Sequence, residues 1–278
     1  MPLTSSLNGP QGMSEHFGIR DGLPDMKIES LHCTDAGNLW IGTHSRGLAA
    51  FDGDDFQIYT EREGVSGRSV FSLCEDHDGV LWVGTDGGVT SYTDGVFASH
   101  STGGRGCLWG SAVGGDNHVW FGLDRQPGQS AAVAHWTGSE MLVHDLSETS
   151  SVGGASIASV VSLGGDVWLA GDGLYVARRG VFQQVMPDRV EFQHIKVIAP
   201  HSDGILIGSA HGTYLYEKNE LRRIEALGAS VEAAVTHEDV GTVVSTRSGE
   251  IFLLDDGVAT QICDLSVPLW RSLAVDGR

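Results

Sequence analysis

The sequence contains few cysteines, few lysines and no long apolar run, and each shortage excludes a class of protein. Four cysteines among 278 residues are too few for a disulfide scaffold, and no two have the spacing of a zinc knuckle. No stretch approaches the roughly 18 apolar residues that span a bilayer. Only three cations are lysine and the net charge is −19, which repels phosphate backbones and anionic lipid. Nucleic-acid binding and membrane insertion are therefore not expected.

Glycine, in contrast, is abundant. The chain has 39 glycines without a collagen period, and 41% of its residues are hydrophobic. This composition allows a sizeable core, and so much glycine indicates many turns between short elements. We expect no metal ion and no cofactor, since no metal-binding or nucleotide-binding motif occurs.

An internal repeat organises the chain. A five-residue phrase recurs every 37 to 48 residues, and its second residue is tryptophan in the first four copies. Its six copies are Leu39–Thr43, Leu81–Thr85, Val119–Leu123, Val167–Gly171, Ile205–Ser209 and Thr242–Thr246. A second phrase, two apolar residues flanking a four-residue turn, follows each copy at Phe51–Phe56, Tyr92–Phe97, Trp136–Met141, Ala177–Phe182, Tyr216–Leu221 and Leu254–Ala259.

Each unit is predicted to form four short strands. In the first unit, Glu29–Cys33 alternates, the tryptophan phrase follows, and Gly/Asp-rich turns separate the remaining runs. One segment, Asn219–Val235, contains good helix formers. Because the repeat places one strand on each side of Gly228, we predict strands there instead of a helix.

Four-stranded units of about 40 residues predict an all-β β-propeller, in which packing the units around an axis buries both faces of each sheet. A parallel solenoid is the alternative, although its rungs are normally shorter. The tryptophans are expected to fill the wedges between neighbouring blades. We predict a single β-propeller domain over 1–278, with blades at about 26–66, 67–104, 105–150, 151–190, 191–228 and 229–266.

The two ends of the chain suggest a further blade. Residues 267–278 resemble the first strand and turn of a seventh unit, and residues 14–23 resemble a last strand that could close the ring. We therefore predict a seven-bladed ring with an incomplete last blade, and a chain that is a fragment of a longer protein.

The first two units resemble a known repeat, the two-component regulator propeller. That family's unit is an apolar strand, an Asp/Gly turn and then Leu-Trp-Ile-Gly-Thr. Ile28–Thr43 and Val70–Thr85 match this pattern, and the segments Asp21–Pro24 and Glu63–Ser66 resemble its inter-blade linker. The later units match progressively less well.

The resemblance implies a bacterial sensor domain of signal transduction. Such propellers typically form the extracytoplasmic input region of hybrid histidine kinases, and some respond to sugars or polysaccharides. They are not enzymes. The first 18 residues contain neither a basic segment nor an apolar core, so no secretion signal is visible. The chain as written is therefore expected in the cytoplasm, or in the periplasm if it is a piece of a sensor kinase.

The candidate ligand-binding residues lie in the turns between second and third strands, where propellers usually meet their ligands. They are His44, Arg46, Asp86, Asp124, Arg125, His211 and Arg247. No catalytic motif was found, so no catalytic residue is predicted.

Three functions remain open from the sequence. The first is a non-catalytic sensor that binds a small molecule, an oligosaccharide or a peptide. The second is a scaffold that binds a protein partner on the ring face. The third, which the sequence favours least, is a propeller lyase or glycan-active hydrolase.

Overall fold

The computed structural model describes residues 16–264, except 35–36, 125–128, 147–155, 179–180, 187–188, 203, 228–230, 238–239 and 256, together with residue 274. Within these residues the strands form six antiparallel four-stranded sheets, each with its strands in chain order. The chain is therefore an all-β propeller, as predicted.

The six sheets are numbered as blades 1 to 6. Their strands are, in chain order, β1 Ile28–Cys33, β2 Leu39–Thr43, β3 Leu48–Phe51, β4 Phe56–Tyr59; β5 Val70–Glu75, β6 Leu81–Thr85, β7 Gly88–Thr93, β8 Val96–His100; β9 Cys107–Val113, β10 Val119–Leu123, β11 Ala132–Trp136, β12 Met141–Asp145; β13 Ile157–Leu163, β14 Asp166–Gly171, β15 Leu174–Arg178, β16 Val181–Val185; β17 Ile195–His201, β18 Gly204–Ser209, β19 Gly212–Glu217, β20 Glu220–Arg223; β21 Val231–His237, β22 Gly241–Thr246, β23 Glu250–Asp255, β24 Val258–Asp264.

The first strands of successive blades contact one another from β1 through to β21, so they are the innermost strands of the assembly. No contact of comparable extent joins β21 to β1 among the described residues. Because the strands are antiparallel, the turns after each second strand and the inter-blade linkers lie on one side, here called the loop face. The turns after each first and third strand lie on the opposite face.

The segment with helix-forming residues is confirmed as strand. Residues Glu220–Arg223 form β20 and Val231–His237 form β21, and only a three-residue 3-10 turn, Glu225–Leu227, lies between them in the described residues. Two further 3-10 turns occur at Ile19–Asp21 and Val190–Phe192. Packing of strand faces against neighbouring blades thus overrides local helix propensity.

The tryptophans lie between neighbouring blades, as predicted. Trp40 packs against Tyr92 of blade 2, with ring centroids 5.1 Å apart, and Trp82 packs against Trp136 of blade 3 at 5.3 Å. Trp168 meets Tyr216 of blade 5 at 6.0 Å. All three tryptophans are buried, so each junction removes large apolar surfaces from water.

The glycine of the phrase permits a close approach of the next blade. A Cβ atom at Gly42 would lie 2.6 Å from the Val70 carbonyl oxygen and against the Ser30 hydroxyl. A Cβ at Gly208 would lie 2.8 Å from Val197 Cγ1 and 3.2 Å from Val231 Cβ. These contacts leave no room for a side chain, which explains the small residue at this position.

The predicted closing strand at 14–23 is wrong in its described part. Residues 16–18 belong to no strand, and Ile19–Asp21 is a 3-10 turn. This segment instead repeats the linker before blade 2: Leu23 N donates to Gly18 O, and Val65 N donates to Thr60 O, both at 3.2 Å. Leu23 packs on Ile28 of blade 1 as Val65 packs on Val70 of blade 2.

The prediction of seven blades is also wrong, because the described residues form six four-stranded blades. The error has a physical origin in the linker, since residues 16–23 lead into blade 1 and do not end a blade. The predicted seventh blade, 267–278, lies outside the described residues except for Ala274, which belongs to no strand. Among the residues that the structure describes, no helix is long and apolar enough to cross a membrane.

Candidate functional site

The predicted site residues that the structure describes lie on the loop face, directly after the second strands. His44 and Arg46 follow β2, and Asp86 and Asp124 follow β6 and β10. His211 and Arg247 follow β18 and β22, and Arg125 lies outside the described residues. The residues are thus distributed around the ring, about one per blade. The His44 side chain contacts two charged groups on this face, Glu29 and Lys27.

A polar cluster surrounds His44 and is here called the blade 1 loop cluster. It consists of Asp25, Lys27, Glu29, His44 and Ser45. The Glu29 carboxylate oxygen Oε1 lies 2.8 Å from His44 Nδ1 and 3.0 Å from Lys27 Nζ. Glu29 exposes only 8% of its side chain, whereas Lys27 exposes 56% and His44 47%. A buried carboxylate is therefore held beneath an exposed cation and an exposed imidazole.

The hydrogen bonds determine how the His44 ring is presented. His44 Nδ1 lies 2.8 Å from the Glu29 carboxylate, which accepts from it when that nitrogen carries hydrogen, and 3.1 Å from Lys27 Nζ, which donates to it when it does not. In either neutral tautomer, one ring nitrogen is a donor and the other is an acceptor. Since the ring is about half exposed, it presents a polar edge to a bound molecule.

Asp25 fixes the adjacent turn. Its carboxylate accepts hydrogen bonds from Lys27 N at 3.0 Å and from Ser45 Oγ at 2.8 Å and Ser45 N at 3.2 Å. Partial burial raises the pKa of Asp25, but these bonds and the nearby His44 outweigh it and hold the pKa below its ordinary value. Asp25 is therefore ionised at neutral pH, and it anchors the loop that carries His44.

The innermost strands are irregular where they reach the loop face. In β1, Ile28 pairs with Thr43 and Ser30 with Gly42, so Glu29 is the extra residue of a bulge. The same shift recurs in β5, β13, β17 and β21, so it belongs to the repeat, and in β17 and β21 the extra residues are Lys196 and Glu232. Bulges re-aim side chains and occur often beside functional sites. The Lys196 ammonium lies 2.5 Å from the Glu232 carboxylate, which joins blades 5 and 6.

The other predicted residues have different roles. Asp86 holds a linker, because its Oδ1 accepts from Ser69 N at 3.1 Å and its own N donates to Ser69 O at 3.0 Å. Asp124 N donates to Gly106 O at 2.8 Å, so this residue also ties a turn to a linker. Arg46, His211 and Arg247 are exposed on the loop face.

Sequence analysis missed Lys27, Glu29, Lys196 and Glu232. Alternation was expected to begin at Glu29, and a bulge cannot be recognised from alternation. One signal was present: Ile28-Glu29-Ser30, Ile195-Lys196-Val197 and Val231-Glu232-Ala233 each place a charge directly after the first apolar residue of an inner strand. Charge at that position of a buried strand indicates a side chain with a specific partner.

The described residues provide no group of three or more histidine, cysteine, aspartate or glutamate side chains arranged to hold a metal ion. The Asp-rich turns on the opposite face use their oxygens internally. Asp76 Oδ1 accepts from Asp78 N and Val80 N, both at 3.0 Å, and Oδ2 accepts from Trp82 Nε1 at 2.8 Å. These carboxylates therefore stabilise the turns.

Solved structures of β-propellers resemble the chain. The extracellular domain of a protein described as a hybrid two component system of B. thetaiotaomicron matches with a TM-score of 0.69 and 16% identity, over 92% of this chain and 37% of that one. One described as a one component system of the same organism matches with 0.71 and 15%, over 92% and 36%. The chain thus spans little more than a third of either protein. A catalytically inactive virginiamycin B lyase from Staphylococcus aureus, solved with quinupristin, matches with 0.63 and 12%, over 92% and 83%.

At these identities the structural matches establish the fold alone. No curated protein matches the sequence. The family described as Two component regulator propeller matches residues 22–45 and 64–87, which contain the linker, the first strand and the tryptophan phrase of blades 1 and 2. The resemblance predicted from the sequence is therefore confirmed: the chain carries two-component regulator propeller repeats in its first two blades.

Proposed function

We propose that the chain is a non-catalytic sensor domain that binds a polar ligand on its loop face, at the blade 1 loop cluster. The observation that carries the proposal is the buried Glu29 carboxylate, held by Lys27 and His44 at an inner-strand bulge. Burying a charge is costly unless partners satisfy it, so the residues of this cluster hold one another in a fixed arrangement.

The cluster offers complementary groups to a polar molecule. Lys27 supplies donors, and the half-exposed His44 ring supplies a nitrogen that donates or accepts according to its tautomer. Arg46 is exposed two residues further along the same turn. Such an array suits a small molecule, an oligosaccharide or a peptide that carries several hydroxyl, carboxylate or amide groups.

Three further points support a sensor. The first two blades carry two-component regulator propeller repeats. Two of the proteins with similar folds are described as extracellular domains of hybrid two component and one component systems. The carboxylates of the cluster are bonded within it, which favours binding over acid–base chemistry. Placement in a sensor kinase, and thereby outside the cytoplasm, follows as part of the proposal.

The test is a thermal-shift screen against a panel of oligosaccharides and short peptides, because a ligand that binds only the folded state raises the melting temperature. Each hit is then titrated into the wild type and into His44→Ala and Glu29→Gln. The matched control is His77→Ala, which removes an exposed imidazole from a turn on the opposite face.

We expect His44→Ala and Glu29→Gln to weaken binding at least tenfold and His77→Ala to leave it unchanged. Equal binding by all four proteins would place the ligand elsewhere and overturn the site. Turnover of any panel member by the wild type would overturn the non-catalytic assignment. A screen without any hit would leave the sensor proposal without its ligand class and count against it.

A further inference from the structure

One position of the repeat carries a ring in blades 1 to 3 and an aliphatic side chain in blade 4. The position is on the fourth strand. Its residue pairs with a residue of the third strand, which in turn pairs with the small residue of the tryptophan phrase on the second strand. In blade 1, Gly42 pairs with Leu48 and Leu48 with Tyr59. The same register selects His100 in blade 2 and His144 in blade 3. In blade 4 it selects Val185.

The three rings fill the outer part of their junctions. Each contacts the phrase tryptophan of its own blade and an aromatic ring of the next. Tyr59 lies 5.6 Å from Trp40 and 5.8 Å from Tyr92, as measured between ring centroids. The corresponding distances are 5.0 and 4.7 Å for His100 with Trp82 and Trp136, and 5.8 and 5.3 Å for His144 with Trp120 and Phe182.

Blade 4 lacks this ring, and a cleft is present at its junction with blade 5. The cleft has a volume of about 370 Å³. Its apolar walls include Trp168, Val176, Val185, Met186 and Tyr216. Val176 pairs with Trp168 as His135 pairs with Trp120, so blade 4 has two valines where blade 3 has two imidazoles. Phe192 of the linker meets Tyr216 at 5.9 Å but is not among the residues that line the cleft.

The mouth of the cleft is polar, and the charges there are paired. Arg178 Nε lies 2.7 Å from Asp166 Oδ2, and Lys218 Nζ lies 3.2 Å from Glu217 Oε1. The Tyr216 hydroxyl donates to Asn219 Oδ1 at 2.9 Å. Gln183 and Gln184 supply further amide groups. Apolar walls with a hydrogen-bonding rim, in which the charges are paired, suit an uncharged ligand that has one polar substituent.

We infer that this cleft is a second binding site, which takes a neutral planar aromatic small molecule of the phenol or indole class. The ligand's ring occupies the place that the side chains of Tyr59, His100 and His144 fill at the three preceding junctions. A cavity of about 150 Å³ is enough to bind benzene, so the volume admits a substituted ring. The site lies towards the face opposite the blade 1 loop cluster, because Gly204 begins the second strand of blade 5 and Lys218 lies in the turn after its third strand. It does not depend on the proposed function.

The experiment uses p-cresol and indole as probes, detected by ligand-observed saturation-transfer NMR with the whole chain. Val185→Tyr restores the ring that blade 1 carries and is expected to weaken binding of both probes at least tenfold. Val258→Tyr is the matched control, since Val258 is an exposed residue on the fourth strand of blade 6. It should bind the probes as the wild type does. A tripeptide Gly-Tyr-Gly tests whether the same ring is accepted on a peptide.

Val185→Tyr is also expected to raise the melting temperature, because the new ring contacts Trp168 and Tyr216. If that variant fails to melt cooperatively, Val176→Phe fills the cleft from the third strand and replaces it in the titration. Equal binding by wild type and by the filled variant, or no binding of either probe by the wild type, overturns the inference. Binding of the tripeptide at least as tight as that of p-cresol would identify a peptide side chain as the ligand and overturn the small-molecule assignment.

Discussion

The junction between blades 2 and 3 and the junction between blades 5 and 6 bury the same surface of the same repeat with different side chains. The first is filled by rings, among them Trp82, Phe121 and Trp136. The second is mainly aliphatic, with Leu206, Val244 and Leu254 in its core beside the ring of Phe252. Both nevertheless retain a glycine, Gly84 or Gly208, against the next inner strand.

This difference separates two requirements of the repeat. The second strand of each blade must lie close to the first strand of the next blade, and this requires a small residue at the fourth position of the tryptophan phrase. The space between neighbouring blades further from the inner strands needs only to be filled, and either aromatic rings or branched aliphatic side chains can fill it. The resemblance to the family therefore fades towards the C-terminus while the architecture continues.

The largest expected effect comes from removing a ring wedge. Trp82→Ala should lower the free energy of unfolding by about 3–5 kcal/mol, because it leaves a cavity and removes the indole donor from buried Asp76. Leu206→Ala, at the same repeat position in blade 5, should cost about 2–4 kcal/mol. Guanidinium unfolding of both variants measures the difference. A smaller loss for Trp82→Ala than for Leu206→Ala would contradict the comparison.

A methyl group at the close approach should be next in size. Gly84→Ala and Gly208→Ala should each cost about 1–3 kcal/mol, because the new Cβ would lie 3.0 Å from Cys107 Cβ in blade 3 and 2.8 Å from Val197 Cγ1, respectively. Gly115→Ala is the control, since nothing lies within 4 Å of its Cβ position. The same unfolding assay applies. A neutral Gly208→Ala would mean that only the ring-filled junctions need the close approach.

The junction between blades 3 and 4 should weaken in acid. His135 stacks on Trp120 at 3.7 Å, and its Nε2 and Nδ1 lie 2.9 Å from His118 and 3.3 Å from His144. Burial, together with the two neighbouring imidazoles, lowers the pKa of His135 to about 4, although Asp116 opposes this shift. The unfolded chain therefore binds more protons between pH 6.5 and 4.

Stability contributed by neutral His135 is thus present above pH 6.5 and is lost as the pH falls towards 4. We expect a loss of roughly 1–2 kcal/mol between pH 7 and pH 5 from this group. His135→Val copies Val176 of blade 4 and should flatten this part of the pH profile of the unfolding free energy. An unchanged slope in the variant would show that other groups cause it.

The smallest effect is expected at an exposed ion pair on the linker between blades 1 and 2. Arg68 Nε lies 3.3 Å from Glu61 Oε2, and both side chains are more than half exposed. Arg68→Ala should change the unfolding free energy by less than about 0.5 kcal/mol. A loss comparable to that of Gly84→Ala would mean that surface charges, and not buried volume, hold the blades together.

Much of the fold follows from the sequence because the residues that define the repeat act over short distances along the chain. The tryptophan phrase, the turn residues and the glycine each act within one strand pair, so the strand that contains Trp40 and Gly42 could be predicted from the sequence. The blade number could not, because Arg20–Leu23 and Arg62–Val65 carry the same linker pattern at the start of a blade and after a fourth strand.

The candidate sites were less accessible from the sequence. His44 was predicted from its turn, but its partner Glu29 depends on a bulge that changes the register of one residue. The cleft at Val185 is lined by six strands from two blades, and no local pattern encodes the volume that they leave between them. Arg46 remains a prediction, as do His211 and Arg247.

A double-mutant cycle across one junction tests most directly whether the wedged rings hold neighbouring blades together. Trp82 and Trp136 belong to blades 2 and 3, and their rings lie 5.3 Å apart. Unfolding free energies of Trp82→Ala, Trp136→Ala and the double variant should give a coupling of about 0.5–1.5 kcal/mol. If the losses of the two single variants sum to the loss of the double variant within about 0.3 kcal/mol, the two rings do not stabilise the junction through each other.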